Sequence, residues 1–308
     1  MSSISWVQIL SYLTFVIVIA GVAFKVIKCY ALPIHLRWEL YPVPHEKAFS
    51  YGGSYFEEVD WWKKPREKFF LNFIKFLFIE VLFVRVLYHN NRKMWYVSYP
   101  LHFGLYLIIG WLGLLFLAAF LMALGVSGEH GLVIFLQYCA IFIGVAGFIL
   151  TAAGCVGLLI RRLIAEELQG YSAPIDYFNL LFILIVVVSG FFAWVSADPR
   201  FLTMRGYIQS LITFSNAGPL EPTIAIYITL FSLFAIYLPF THMSHAFMKY
   251  FLWDKVLFED DPNVRGGSVE SHVSTVLNYK QTWSASHMRA GGTWGETASK
   301  GVSHEEEK

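Results

Sequence analysis

Five long runs of apolar residues, separated by polar or charged segments, dominate the pattern along the chain. The runs cover residues 6–24, 99–124, 132–160, 177–197 and 223–247. Each reaches the roughly 20 residues that an α-helix needs to cross the hydrocarbon core of a bilayer. The pattern therefore predicts an all-α integral membrane protein with a bundle of five transmembrane helices.

A sixth apolar segment, residues 69–88, is as long as a span but carries Lys75, Glu80 and Arg85. Each charge costs about 2.5–3.5 kcal/mol at the centre of a membrane helix. We therefore expect a helix over about residues 67–89 that lies at the cytoplasmic membrane interface. A sixth span is the alternative, and it would move the later basic residues to the outer side.

Lysine and arginine are distributed asymmetrically between the two sides of the predicted bundle. With five spans, all but Arg200 and Arg205 of the 23 lysines and arginines lie on one side. Cytoplasmic segments are enriched in these residues, so the N-terminus is predicted outside and the C-terminus in the cytoplasm. The predicted organisation is a first span in residues 1–28, a cytoplasmic loop in 29–98, four spans in 99–250, and a partly disordered cytoplasmic tail in 251–308.

The composition agrees with a membrane protein and excludes several kinds of site. Hydrophobic residues make up 56% of the chain and charged residues 15%, whereas soluble domains carry about 25% charged residues. The net charge of +1 gives no indication of a nucleic-acid partner. The high proportion of apolar residues instead predicts that membrane lipid surrounds the chain. The three cysteines share no CxxC spacing, which excludes an encoded c-type haem attachment or zinc ribbon.

Histidines stand near the ends of two predicted spans. His102 lies at the cytoplasmic beginning of the second span, and His242 and His245 lie near the cytoplasmic end of the fifth. On a helix, a spacing of three places both of the latter on roughly one face. His102 and His245 share one depth, because the chain enters the membrane at the first and leaves it at the second. Two neutral imidazoles facing each other between helices are typical ligands of a b-type haem.

Alternatives to this pairing remain open at the level of sequence. His242 is one turn from His245 and would be either the ligand itself or a contact of a haem propionate. For His102 alone, a polar cap at the membrane interface explains the residue equally well. The basic residues expected beside the propionates are Arg92, Lys93 and Lys249.

Several stretches resemble one family of membrane cytochromes. The segments RWELYPVPHE, GGSYFEEVDWW, HNNRKMWYVSYPLHFGLY and PFTHMSH are similar to the gamma subunits of respiratory nitrate reductases, five-helix cytochromes b that oxidise quinol. The resemblance covers most of residues 1–260. It is closest to the cytochrome b subunits of tetrahaem cytochrome c complexes and related transmembrane complexes of sulfate-reducing anaerobes.

This resemblance implies a place in anaerobic respiration, in the cytoplasmic membrane of a bacterium or archaeon. The implied partners are a cytoplasmic iron–sulfur subunit similar to heterodisulfide reductase and a periplasmic multihaem cytochrome c. The exchangeable substrate is a quinone such as menaquinone. The implied groups for the quinone headgroup lie on the outer side and are Asp198, Arg200, Arg205 and His130.

The family pattern has two histidines on the second helix, ten apart, and two on the fifth, eighteen apart, which bind two haems. In this chain His102 and His245 match the cytoplasmic-side haem, whereas Leu112 and Tyr227 stand at the other two positions. The resemblance thus implies one haem b, and a second only with other ligands. The sequence predicts a quinone-linked cytochrome b subunit; a haem-free membrane anchor for a soluble redox enzyme is the alternative.

Overall fold

A computed structural model describes residues 5–32, 43–46, 54–65, 67–257, 261–285 and 288–299. Within these ranges the regular structure is helical, apart from isolated β-bridges. The α-helices in chain order are α1 (Trp6–Tyr30), α2 (Phe70–Phe83), α3 (Arg85–Asn90), α4 (Arg92–Ala123), α5 (Gly131–Ile164), α6 (Glu166–Gln169), α7 (Pro174–Ser196), α8 (Leu202–Ile212), α9 (Pro222–Tyr237), α10 (His245–Leu257), α11 (Ser268–Leu277) and α12 (Trp294–Ser299).

Five of these elements are long and apolar enough to cross a membrane, which confirms the predicted fold class. They are α1, α4, α5, α7, and α9 together with the 3₁₀ turn that follows it. The chain divides into two compact units. The first comprises Met1–Val22 and Leu77–Ser244, and the second Ala23–Phe76 and His245–Lys308.

Glycines bring α4 and α5 into close contact in the first unit. A Cβ atom at Gly104 would lie 2.5 Å from the backbone nitrogen of Thr151, and one at Gly154 would lie 2.6 Å from the Cα of Leu101. Real side chains do not fit at such distances, so these two positions require glycine. Small residues let two helix backbones approach closely inside a membrane, where the hydrophobic effect does not drive helices together. Gly104 and Gly154 therefore allow the close approach of α4 and α5.

Four aromatic rings, here called the aromatic layer, pack together between α4, α5, α7 and α9. It consists of Trp111 (α4), Phe148 (α5), Phe201 and Tyr227 (α9). Ring centroids are 5.4 Å apart for Trp111 and Phe148, 5.1 Å for Trp111 and Phe201, and 6.0 Å for Phe148 and Tyr227. Gly190 of α7 packs directly against the layer, since a Cβ there would lie 2.7 Å from the Cε2 of Tyr227.

The fifth span ends earlier than the apolar run that predicts it. After α9, Leu238–Phe240 and His242–Ser244 form 3₁₀ turns, and Thr241 between them is extended. Pro239 lacks a backbone N–H and cannot continue the hydrogen-bond ladder of an α-helix. His242 therefore begins a 3₁₀ turn and His245 begins α10. The expectation that the two share one helix face stays a prediction.

The charged segment 69–88 forms two helices rather than one. α2 has 14 residues, about 21 Å at 1.5 Å per residue, which is shorter than a bilayer core. Val84, with φ of 49°, separates α2 from α3. Glu80 is buried, and its carboxylate accepts hydrogen bonds of 3.0 and 3.2 Å from the Val86 N–H at the start of α3. The interfacial position of this segment remains a prediction.

The tail contains ordered structure within its described part. Gln281 is buried between α11 and α12, where its N–H donates to the Gly292 carbonyl and its Nε2 to Thr297 Oγ1, both at 2.9 Å. The prediction that the tail is partly disordered is not tested by these elements. A disordered end beyond residue 299 falls outside the described residues, as do residues 33–42, 47–53 and 66 of the long loop.

Candidate functional site

His102 lies on α4 with its imidazole partly buried and oriented by the preceding turn. Its Nδ1 is 2.8 Å from the backbone carbonyl oxygen of Ser98 and 3.2 Å from the hydroxyl of the same residue. A carbonyl oxygen only accepts, so Nδ1 carries the proton and the Nε2 atom carries the lone pair. This tautomer suits a metal ligand, because ligating histidines commonly donate their other N–H to a backbone carbonyl.

His245 is the first residue of α10 and is exposed. It lies five residues beyond Phe240, the last residue of the fifth span. His245 begins a segment of the second compact unit, whereas His102 belongs to the first. The pairing of the two as haem ligands therefore stays a prediction.

His242 lies in the first unit and faces the beginning of α7. Its Nε2 is 3.9 Å from Asp176 Oδ1 and 3.5 Å from the Asn179 amide nitrogen. Asn179 is buried, and its Oδ1 accepts a 2.8 Å hydrogen bond from the Tyr237 hydroxyl. Arg162 of α5 approaches the other oxygen of Asp176 at 3.5 Å. The exposed imidazole of His242 thus lies beside two polar residues of α7, which α5 and α9 contact in turn.

The basic residues expected at the haem propionates lie on two elements. Arg92 and Lys93 are exposed at the first turn of α4, and the Arg92 guanidinium carbon sits 4.7 Å from the ring centroid of Tyr88. Lys249 lies on α10, in the second unit. Arg92 and Lys93 come about ten residues before His102, or about 15 Å along the helix axis.

A buried polar group lies where α8 meets α5. Arg205 and Asp198 are both more than nine-tenths buried, and Arg205 Nη1 donates a 2.9 Å hydrogen bond to Gln137 Oε1. The Asp198 carboxylate accepts from the Met204 N–H at 2.8 Å, near the start of α8. Burial lowers the pKa of the Arg205 guanidinium, and the charge of Asp198 opposes this effect. Arg205 Nε is buried with no hydrogen-bond partner among the described residues.

The two other outer candidates do not join this buried group through their side chains. Arg200 is exposed and contributes its backbone carbonyl, which accepts a 3.2 Å hydrogen bond from Gln137 Nε2. His130 is exposed and caps α5, with Nδ1 accepting from the Leu132 N–H at 3.3 Å. Of the four proposed quinone residues, the structure thus brings together Asp198 and Arg205.

Gln137 and Asn179 were not predicted as site residues from the sequence, although each is an uncharged polar residue inside an apolar run. That contrast is the signal that could have singled them out, since buried polar groups in such runs need hydrogen-bond partners. Leu112 and Tyr227, which stand where the resemblance would place further histidines, both pack in the apolar core of the bundle. Tyr227 forms part of the aromatic layer.

One comparison with known proteins identifies a family for this chain. Residues 87–257 match a family model described as the nitrate reductase gamma subunit. The match begins just before α4 and ends with α10, so it includes the three histidines considered as haem ligands. No curated protein and no solved structure matches the chain. Among the described residues no group of three or more metal-ligating side chains occurs, whereas a b-type haem takes two axial ligands.

Proposed function

The chain belongs to the nitrate reductase gamma subunit family, and from this premise we propose that it holds one b-type haem between His102 and His245. The family consists of membrane cytochromes b that transfer electrons from quinone within a multisubunit respiratory complex. The haem supplies the redox chemistry, while the protein orients it and controls its surroundings.

The geometry of His102 is the observation that carries this proposal. Its Nδ1 donates its proton to the Ser98 carbonyl at 2.8 Å, so Nε2 carries the lone pair that would bind the iron. The hydrogen bond also limits rotation of the ring and makes the imidazole a more basic ligand. A helix that presents a neutral imidazole in this way fits the donor set of a b-type haem.

Packing of the aromatic layer supports one haem rather than two. Tyr227, at the position where the family pattern has a histidine, contacts Trp111 and Phe148 and is 4% exposed. Phe201, which precedes α8, adds a fourth ring to the layer and is also 4% exposed. These side chains fill the space around Tyr227, so a second haem there would have to displace them.

We further propose the partners and the quinone contacts that the resemblance implies. A cytoplasmic iron–sulfur subunit would dock near the basic helix ends that carry Arg92 and Lys93. A periplasmic multihaem cytochrome c would exchange electrons at the opposite side. Arg205 and Asp198 would contact a quinone headgroup there, since Arg205 is buried with one N–H donor that has no described partner.

A reduced-minus-oxidised optical spectrum of the purified protein tests the proposal. We expect the α band of a b-type haem and a ratio of one haem per chain in a pyridine haemochrome assay. A spectrum without that band would favour the haem-free membrane anchor. Two haems per chain would contradict the assignment of Leu112 and Tyr227 as non-ligands.

Substitution of the two neighbouring histidines separates their roles. His245→Ala should lose the haem, whereas His242→Ala should retain it, because His242 faces Asp176 and Asn179 instead. Haem content per chain and the low-spin electron paramagnetic resonance signal report the outcome. Full haem content in His245→Ala would assign the ligand to His242.

A further inference from the structure

Residues 81–84, here called the α2–α3 junction, are held by two side chains of α4. The last carbonyl groups of an α-helix have no hydrogen-bond partner within that helix. At the end of α2, the Val81 carbonyl accepts a 2.7 Å hydrogen bond from the Tyr106 hydroxyl. The Phe83 carbonyl accepts a 2.8 Å hydrogen bond from Trp95 Nε1. α4 thus supplies the donors that two carbonyls at this helix end need.

These two hydrogen bonds fix the height of the junction along α4. Trp95 and Tyr106 are eleven residues apart on α4, or about 16.5 Å along the helix axis. The two carbonyls that they bind are only two residues apart in the chain. Both side chains therefore reach toward a common level between them. His102 lies between Trp95 and Tyr106, so the junction lies at about the height of His102.

The two donors also share a face of α4 with His102. At about 100° per residue, Trp95 and Tyr106 lie about 20° and 40° from His102 around the helix axis. Leu101 and Gly104, which contact α5, lie about 100° and 160° from His102 in the opposite direction. The junction therefore lies beside His102, on the side of α4 that is turned away from α5.

The junction is fixed in an unfavourable backbone conformation. Val84 has φ of 49° and ψ of 49°, in the left-handed region that a β-branched residue rarely adopts. The buried carboxylate of Glu80 accepts hydrogen bonds of 3.0 and 3.2 Å from the Val86 N–H on the other side of the turn. Such a conformation persists only where the surrounding contacts determine it, and it is found preferentially at functional sites.

We infer that the α2–α3 junction is a side wall of the haem pocket at His102, and that Trp95 and Tyr106 are positioning residues that hold this wall in place. The wall closes the pocket on the side of α4 away from α5 and slows the loss of haem. The inference rests on the proposed function, because it requires a haem on His102. It adds residues that are neither axial ligands nor propionate contacts.

Removal of one donor tests the wall. Tyr106→Phe keeps the aromatic ring but loses the hydrogen bond to the Val81 carbonyl, so the junction should open more often. We expect haem to pass from the purified protein to added apomyoglobin about fivefold faster. This factor corresponds to about 1 kcal/mol, the net value of one hydrogen bond. The initial haem content should equal that of the wild type, because the axial ligands are unchanged.

The matched control is Tyr207→Phe. The Tyr207 hydroxyl on α8 donates to the Val7 carbonyl at 3.0 Å, so this variant loses a comparable hydrogen bond away from the junction. Its haem transfer rate should equal that of the wild type. A wild-type rate in Tyr106→Phe, or the same acceleration in both tyrosine variants, would overturn the inference alone. A wild-type protein without haem would overturn the proposed function and this inference with it.

Trp95→Phe tests the second donor independently, and it decides the question if Tyr106→Phe does not fold. The variant removes the Nε1–H that binds the Phe83 carbonyl and keeps an aromatic ring next to Tyr99, on which Trp95 stacks at 4.6 Å. Haem transfer should again be faster. Amide hydrogen exchange in residues 81–86 should also rise, which reports on the junction without the haem. Unchanged exchange and unchanged transfer would contradict the inference.

Discussion

Replacement of His102 by alanine should abolish haem incorporation. The methyl group offers no lone pair to iron, and the polar position beside the Ser98 carbonyl is left empty. Replacement of groups that only support a metal ligand typically lowers metal affinity by about 10–100-fold, so loss of the ligand itself should exceed tenfold. The measurement is haem per chain in protein purified from cells supplied with haem.

The matched control for this variant is His272→Ala. His272 is an exposed residue of α11 and has no part in the proposed site. It should retain wild-type haem content, with an unchanged melting temperature. Equal haem content in the His102 and His272 variants would remove the proposed ligand and favour the haem-free anchor.

Gly154→Ala should produce the second large effect, through the contact between α4 and α5. Its new methyl group would lie 2.6 Å from the Cα of Leu101 and 2.7 Å from its Cβ, so the two helices must separate. Overpacking of a tight interior typically costs about 1–3 kcal/mol. Leu101 is adjacent to His102, and the shift should therefore also lower haem retention. Thermal unfolding in detergent and haem content per chain measure both consequences.

Gly113→Ala is the control for this substitution. It makes the same chemical change on α4 at a position with no neighbour within 4 Å. Because alanine is preferred over glycine in a helix by about 1 kcal/mol, its stability in the isolated subunit should be unchanged or higher. If both variants lowered the melting temperature equally, the close contact at Gly154 would not explain the effect.

The five spans could be predicted from sequence because lipid imposes a simple rule. A helix that crosses a bilayer needs about 20 apolar residues whatever its neighbours are. That local requirement identified apolar runs that overlap α1, α4, α5, α7 and α9. The same reasoning singled out His102, because polar residues near apolar runs are few and therefore conspicuous.

The break after α9 shows where local pattern fails. Residues 223–247 form one apolar run, and Pro239 within it was compatible with either a kinked helix or an interruption. In the structure, 3₁₀ turns follow α9, and His242 turns toward Asp176 and Asn179 on α7. The contacts of His242 depend on α7, which is distant in sequence, so the apolar run alone does not predict them.

Residue chemistry along the chain was thus sufficient for the membrane location, the number of spans and the candidate ligand on α4, since each depends on local composition and spacing. Two features required the folded chain: the aromatic layer around Tyr227, and the polar group in which Gln137 contacts the buried Arg205 near the buried Asp198. Each depends on which helices lie side by side and at what height. Hydropathy does not predict those relations, because apolar residues that face lipid and apolar residues that face another helix have the same hydropathy.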